Sequence, residues 1–184
     1  KLIVTLFPSI VDITDALVDG LALPAIDSET LRNFLLAAAE EVGKYATVFF
    51  IAIRSKHFDE PVDAVIYLIT AALGFAAVEN TLYILKDLGQ GGILQAAING
   101  NLRFLGATLL HTVSSAAIGI AIAGSFFSPR WIKTIAVFVG IAVATLLHTH
   151  FNLTIIETNG TMNILVVFSR YWIAIVGIVI IVAA

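Results

Sequence analysis

The fold class of this chain follows from one stretch, residues 131–156, whose sequence is WIKTIAVFVGIAVATLLHTHFNLTII. Lys133 is the single Lys, Arg, Asp or Glu residue in it, and most other positions are aliphatic or aromatic. A helix needs roughly 20 mostly apolar residues to cross the hydrocarbon core of a bilayer. The stretch therefore predicts a transmembrane helix.

Other parts of the chain meet the same test of length and composition. These further predicted spans are residues 31–53, 61–85, 102–127 and 162–184. Residues 2–23 are marginal because Asp12, Asp15 and Asp19 lie on one helical face, which predicts a tilted span or an interfacial helix. The predicted fold is all-α, a polytopic transmembrane bundle of five or six helices.

We expect a single transmembrane domain over residues 1–184, with the motifs in its central helices. Residues 1–29 would form the marginal span and its loop, residues 30–157 the core helices, and residues 161–184 the last span. The chain starts at Lys1 rather than Met, and with the weak first span this predicts a missing or divergent N-terminus. Small residues would allow close helix contacts. These are Gly74, Ala76, Ala77, Gly119 and Gly140.

The composition supports a membrane protein and excludes several other classes. The chain is 59% apolar and 12% charged, whereas soluble domains are about 45–50% apolar and about 25% charged. So few charged residues would not cover a water-facing surface, and disorder needs the opposite composition. A formal net charge of −3 predicts no nucleic-acid partner. The absence of cysteine excludes disulfides, thiolate metal ligands and a cysteine nucleophile.

The basic residues of the short loops predict an orientation. Arg54 and Lys56 follow the second predicted span, and Arg130 with Lys133 follows the fourth. Cytoplasmic loops carry an excess of Lys and Arg, so we expect these two loops to lie inside. The opposite side has Arg32, Lys86 and Arg103, diluted by acidic residues.

Ionisable residues inside predicted spans are costly and usually functional. Glu40, Glu79, His111 and His148 come from four different spans and lie about seven to ten residues from the predicted outer ends. At 1.5 Å per residue this is roughly 10–15 Å below one membrane face. The helices alternate in direction, so sequence spacing alone does not produce this common depth. We therefore expect one polar layer.

Neighbouring residues extend the layer. Glu41 adjoins Glu40, and Lys44 follows Glu40 by four residues, so Glu40 and Lys44 are expected to share a helix face and to pair. Ser114 and Ser115 lie one turn after His111. Asn152 lies one turn after His148 and is a candidate partner for a free ring nitrogen. His150 is expected to face elsewhere.

Two imidazoles and one carboxylate are a known ligand set for catalytic Zn²⁺. Glu79, His111 and His148 are the predicted metal ligands. Glu40 or Glu41 would take a proton from the attacking water and pass it to the leaving amine, and the shared face with Lys44 favours Glu40. Lys44 would be a charge partner or a catalytic participant, and Asn152 or a serine would donate a hydrogen bond to the oxyanion. The set predicts peptide hydrolysis within a membrane, metal-assisted or driven by glutamate alone.

Two other functions fit parts of this pattern. His111 and His148 are possible axial ligands of a haem in an electron carrier, although haem does not need the carboxylates. Glu40, Glu41 and Glu79 are a possible relay in a proton or cation transporter. Helices interrupted by Gly or Pro would indicate a transporter, and beyond the first span no interior Pro occurs.

The motifs also resemble a known family, the PrsW intramembrane proteases. Residues 40–44, EEVGK, resemble an EExxK motif. Residues 59–63, DEPVD, with Tyr67 and the stretch ALGFAAVEN at residues 72–80, are similar to the family's hallmark segment. His111 with Ser115, and HTHFN at residues 148–152, are similar to its two later histidine motifs. The resemblance covers about residues 34–155.

The resemblance implies a polytopic protease related to the CAAX-prenyl-protease and bacteriocin-processing superfamily. The known member starts regulated proteolysis of a membrane-bound anti-sigma factor by an extracytoplasmic cut. This implies a membrane-anchored protein substrate and a prokaryotic cell membrane, with the active-site layer nearer the extracytoplasmic face. The essential residues carried over are Glu40, Glu41, Glu79, His111 and His148.

Overall fold

The computed structural model describes residues 8–21 and 27–157, and every regular element in these ranges is a helix. Helix α1 spans Pro8–Leu21, α2 spans Ser28–Val48, α3 spans Pro61–Gly124 and α4 spans Arg130–Glu157. A π-helical turn at Phe49–Ile53 continues α2. The predicted all-α class is confirmed. The predicted span at residues 162–184 and the ends of the marginal first span lie outside the described residues.

Within residues 8–21 and 27–157, three helical segments are long and apolar enough to cross a membrane. They are Pro61–Gln90, Gly106–Gly124 and Arg130–Thr154. They correspond to the predicted spans at residues 61–85, 102–127 and 131–156. The predicted span at residues 31–53 matches α2 and its π-helical turn, but buried charged side chains interrupt its apolar sequence.

Helix α3 is a hairpin of two arms rather than one rod. Its only described residue with non-helical backbone angles is Gly92, at φ 79° and ψ −179°, a conformation that essentially only glycine tolerates. Asn80 contacts Thr108 across the hairpin, whereas 28 residues of unbroken helix would separate them by about 42 Å. We call residues 61–91 the first arm and residues 93–124 the second arm. The predicted loop at residues 89–92 is thus reduced to one residue, and the second arm starts nine residues earlier than predicted.

The start of α2 is fixed by Asp27. One carboxylate oxygen accepts a hydrogen bond from the Thr30 backbone N–H at 2.8 Å, and the other accepts one from the Thr30 hydroxyl at 2.6 Å. Satisfying orphan N–H groups in this way is the role of an N-cap residue. The hydroxyl of Thr30, followed by its backbone N–H, holds the pKa of Asp27 below its ordinary value.

The acidic segment before α3 has a structural role as well. Asp63 accepts hydrogen bonds from the backbone N–H groups of Asp59 and Glu60, at 3.1 and 2.9 Å. The Tyr67 hydroxyl donates to the His57 carbonyl at 2.8 Å and ties the loop to the helix. The DEPVD segment with its tyrosine therefore begins the first arm and contributes no side chain to the polar layer.

Two glycines bring the helices into close contact. A Cβ atom on Gly119 would lie 2.7 Å from the Cα of Val65, and one on Gly140 would lie 3.0 Å from the Cα of Ile118. The expectation for these two residues is confirmed. Gly74 has no neighbour within 4 Å among residues 8–21 and 27–157, so its expected contact stays a prediction. The apolar core beside these contacts comprises Val48, Ala64, Leu68, Ile118, Ile122 and Ala144. It lies toward the loops that precede α3 and α4.

Candidate active site

The polar residues predicted from four spans converge on one buried cluster. Helix α2 contributes Glu40, Glu41 and Lys44, the first arm Glu79, the second arm His111, and α4 His148. Each of these six residues is no more than 5% exposed. The cluster therefore combines side chains from every helix of the bundle except α1.

Helix α2 places three charged groups inward because they continue its apolar stripe. Its buried residues include Ala37, Glu40, Glu41, Lys44 and Val48, which follow the three-and-four spacing of one helical face. Ala37 and Val48 at the two ends of this stripe pack against the bundle. The charged side chains between them are therefore held in the interior rather than toward lipid.

Glu41 contacts three other polar side chains of this region. Its carboxylate accepts a hydrogen bond from Lys44 Nζ at 2.6 Å and one from Ser115 Oγ at 3.3 Å. Its Oε1 lies 2.8 Å from His148 Nδ1. The expected pairing of Lys44 with Glu40 is thus wrong, since Lys44 bonds Glu41 one residue nearer. The argument from Lys44 that favours Glu40 over Glu41 as the general base therefore no longer holds.

The two histidines are held from both ring nitrogens. His148 lies between the adjacent glutamates, with Nε2 at 3.5 Å from Glu40 Oε2. His111 Nε2 lies 3.2 Å from Glu79 Oε2, and its Nδ1 lies 3.3 Å from Lys44 Nζ. An ammonium group only donates and a carboxylate only accepts. Without a bound cation, and with Glu79 ionised, His111 therefore accepts at Nδ1 and donates from Nε2. A cation ligated by His111 would replace one of these two contacts.

The donor set fits a metal ion. Glu40, His111 and His148 each offer one ligand atom, and these three atoms lie within 4.8 Å of one another. Two imidazoles and a carboxylate match the protein ligands of catalytic zinc sites. When ionised, the cluster holds three carboxylates and one ammonium group, so a divalent cation would balance its buried charge. Glu40 occupies the place expected for Glu79, whose assignment as a ligand stays a prediction.

Other residues close the cluster or lie outside it. The ring of Phe75 contacts His111 at a centroid distance of 5.0 Å and lies 5.4 Å from Lys44 Nζ. Asn152 is half-buried, one turn beyond His148, but both ring nitrogens of His148 face glutamates instead. Its role as oxyanion donor stays a prediction. His150 is exposed and outside the layer, as expected.

The histidine geometry disfavours haem. The rings of His111 and His148 meet edge to face, at 5.0 Å between centroids and an interplanar angle of 80°. A haem iron held by both would require a porphyrin plane between the rings, and this contact leaves no room for one. The helices also run unbroken at the depth of the cluster, unlike those of transporters with broken helices.

The sequence alone did not single out two contacts of this region. Ser115 rather than Ser114 bonds Glu41, and the spacing from His111 left both serines open. Asn80 is 6% exposed and reaches Thr108 at 3.4 Å. An amide directly after Glu79 in an apolar stretch is the signal that would have identified Asn80.

Comparisons with known proteins agree with this geometry. The model of the PrsW family of intramembrane metalloproteases matches residues 3–184. A Protease PrsW of Clostridioides difficile (strain 630) is 30% identical over 74% of this chain and 57% of its own length. A Protease PrsW of Geobacillus kaustophilus (strain HTA426) is 36% identical over 40% of this chain and 33% of its own length. No solved structure matches the chain.

The matches to the relatives and to the family model cover different shares of the proteins. The chain covers less than two thirds of the length of each of these two relatives. The family model nevertheless covers nearly all of the chain, including every residue of the buried cluster. With membrane-length apolar helices around that cluster, the chain is an integral membrane protein that belongs to the PrsW family of intramembrane metalloproteases.

Proposed function

We propose that this chain is the catalytic core of an intramembrane endopeptidase that cuts a membrane-anchored protein. One observation carries the proposal: Glu40, His111 and His148 come from three separate helices and place their ligand atoms within 4.8 Å of one another. Burying such groups among apolar helices is costly, and intramembrane ionisable residues are functional by default.

The residues divide into acting and positioning groups. Glu40, His111 and His148 would hold a divalent cation, with Zn²⁺ as the candidate. When bound there, such a cation would supply Lewis-acid chemistry, polarising the scissile carbonyl and lowering the pKa of a bound water. Glu41 is held by Lys44, Ser115 and His148 and so positions His148, as carboxylates do for metal-bound histidines.

Hydrolysis also needs a group that moves one proton. A water oxygen attacks the carbonyl carbon, a carboxylate takes a proton from that water, and the same proton passes to the leaving amine. Because Glu40 lies among the candidate ligands, Glu79 beside His111 is the better-placed proton acceptor. This exchanges the roles predicted for Glu40 and Glu79 from the sequence. Asn152 would donate to the developing oxyanion.

The substrate and the side of cleavage are parts of the same proposal. The relatives carry the name of a protease, and the resemblance of the motifs suggests a membrane-bound anti-sigma factor as the substrate. The resemblance implies a prokaryotic cell membrane, and the loop charges favour an orientation with the cluster nearer the extracytoplasmic face. A membrane-anchored substrate would then be cut close to that surface.

Cleavage of a model single-span substrate by protein reconstituted in liposomes tests the proposal. Glu40→Gln and His148→Ala should each lower cleavage at least about 100-fold, as losses of acid–base or metal-binding groups do. Bound zinc, measured by elemental analysis, should fall in Glu40→Gln and His111→Ala and persist in Glu79→Gln. Zinc lost in Glu79→Gln and His111→Ala but retained in Glu40→Gln would instead support the ligand set predicted from the sequence.

The matched control is Glu29→Gln, the same substitution at an exposed position in the first turn of the same helix. It should leave cleavage and zinc content unchanged. Full cleavage by both Glu40→Gln and His148→Ala would contradict the proposed function.

A further inference from the structure

Asn80 is a buried polar side chain that the proposed mechanism does not use. It is 6% exposed and directly follows Glu79. Its Nδ2 donates to the Thr108 hydroxyl at 3.4 Å, whereas its Oδ1 has no hydrogen-bond partner within residues 8–21 and 27–157. Burying an amide oxygen without a hydrogen-bond partner is energetically unfavourable. A bound molecule that donates a hydrogen bond to Asn80 Oδ1 would remove this cost.

The location of Asn80 relates it to the cluster. Glu79 contacts His111 and Asn80 contacts Thr108, so these are successive contacts between the antiparallel arms. Thr108 precedes His111 by three residues, about 4.5 Å along the helix axis. Asn80 therefore lies about one turn from the cluster, on the side of Gly92.

An unwound substrate needs a hydrogen-bond acceptor close to the cluster. A peptide bond becomes accessible to water only when the surrounding substrate helix opens, and each freed backbone N–H group in apolar surroundings costs several kcal/mol. An extended chain advances about 3.3 Å per residue. A backbone N–H one or two residues from the scissile bond would thus lie at the level of Asn80.

We propose that Asn80 Oδ1 accepts a hydrogen bond from a backbone N–H of the unwound substrate, one or two residues from the scissile bond. This inference depends on the proposed peptidase function and adds a substrate-binding residue to it. In this arrangement the Thr108 hydroxyl accepts from the Nδ2 end of the amide, which leaves Oδ1 as the free acceptor. The bond recognises peptide backbone, so it holds the substrate without selecting its side chains.

Ester substitutions in the substrate test this bond directly. A set of model substrates, each with one peptide N–H near the cleavage site replaced by an ester oxygen, is compared on wild type and Asn80→Ala. Asn80→Ala should lower kcat/KM about tenfold, mainly through KM, as expected for one hydrogen bond made equally in ground and transition states. One ester substitution should cause a similar loss in wild type and no further loss in Asn80→Ala.

Two variants complete the experiment. Thr81→Val is the matched control, because the neighbouring Thr81 hydroxyl bonds the Ala77 carbonyl of its own helix, and kcat/KM should not change. Thr108→Val should give a smaller loss than Asn80→Ala, since the amide is no longer oriented.

The outcomes separate this inference from the proposed function. A wild-type protein that cleaves no substrate contradicts the peptidase function itself. If wild type cleaves but no ester within two residues of the scissile bond slows it, the bond to Asn80 does not exist. The same conclusion follows if every ester lowers the rate equally in wild type and Asn80→Ala. If Asn80→Ala fails to fold, Thr108→Val takes its place: the sensitive ester should cause a smaller loss in Thr108→Val than in wild type, and an equal loss would contradict the bond to Asn80.

Discussion

Lys44 is an ammonium group enclosed by the cluster. Its side chain is 2% exposed and that of Glu41 is 0% exposed, with 2.6 Å between Nζ and Oε1. Removing one member of a buried ion pair leaves an uncompensated charge, which costs more than the intact pair contributes. Lys44 also reaches His111 at 3.3 Å. This single residue thus links both histidine-bearing helices to α2 through Glu41 and His111.

Lys44→Met should therefore lower the free energy of unfolding by about 3–5 kcal/mol. The double variant Lys44→Met/Glu41→Gln should recover part of that loss, because no charge is left unpaired. Thermal unfolding in detergent measures both effects. Arg32→Met is the control, since the Arg32–Asp15 pair is 43% and 53% exposed and should change stability by about 1 kcal/mol or less. Equal losses in Lys44→Met and Arg32→Met would contradict this account of Lys44.

At the scale of the elements, the backbones of the two arms of α3 pack directly against each other at Gly119. A Cβ atom there would lie 2.7 Å from the Cα of Val65 and 3.1 Å from the Ala64 carbonyl oxygen. Because these are backbone atoms, no side-chain rotation relieves the overlap. The arms must separate to accept any side chain, and that separation would disturb the alignment of Glu79 with His111.

Gly119→Ala is therefore expected to destabilise the protein by about 1–3 kcal/mol, as overpacking does. Gly74→Ala in the same helix is the control, because a Cβ atom there has no neighbour within 4 Å in the part of the chain that the structure describes. In a helix Ala is favoured over Gly by about 1 kcal/mol, so Gly74→Ala should be neutral or stabilising. Unfolding of both variants in detergent gives the comparison. A stabilising effect of Gly119→Ala would show that the contact between the arms is looser than described.

At the scale of the whole molecule, the helices alternate in direction across the membrane. The loops before α3 and before α4 then lie on one side, and Gly92 lies on the other. The loop before α3 carries Arg54 and Lys56, and Arg130 and Lys133 lie at the start of α4. By the positive-inside rule we expect this side to be cytoplasmic. The outer ends of α2 and of both arms, with the nearby cluster, would then lie toward the extracytoplasmic side.

Single cysteines test this orientation, because the chain has none of its own. A membrane-impermeant maleimide added to intact cells should label Gln90→Cys and leave His57→Cys and Ser128→Cys unlabelled until the membrane is opened. All three positions lie outside the buried cluster, so folding should be preserved. Labelling of His57→Cys but not Ser128→Cys would contradict the alternating arrangement. The inverse pattern for all three would reverse the orientation.

Much of the site could be predicted because burial in a membrane restricts where ionisable groups occur. Glu40, Glu79, His111 and His148 were placed at one depth from helix lengths alone, and their convergence is what the structure shows. The partner of Lys44 was not predictable, because residues at both three and four positions away lie on its face of the helix. The break at Gly92 was placed only within four residues, since any glycine of that segment permits a turn.

The hydropathy of the sequence was enough to predict an all-α membrane bundle. It was also enough to identify the polar residues that the interior of the bundle must hold. Hydropathy and helical rise are properties of a single segment, so they do not depend on how the helices pack against one another. Only the tertiary structure decided which glutamate binds Lys44 and which glutamate joins the histidines. That choice depends on Ser115 and His148, which lie 74 and 107 residues from Glu41 in the chain. Their positions are fixed by helix packing rather than by spacing along any single helix.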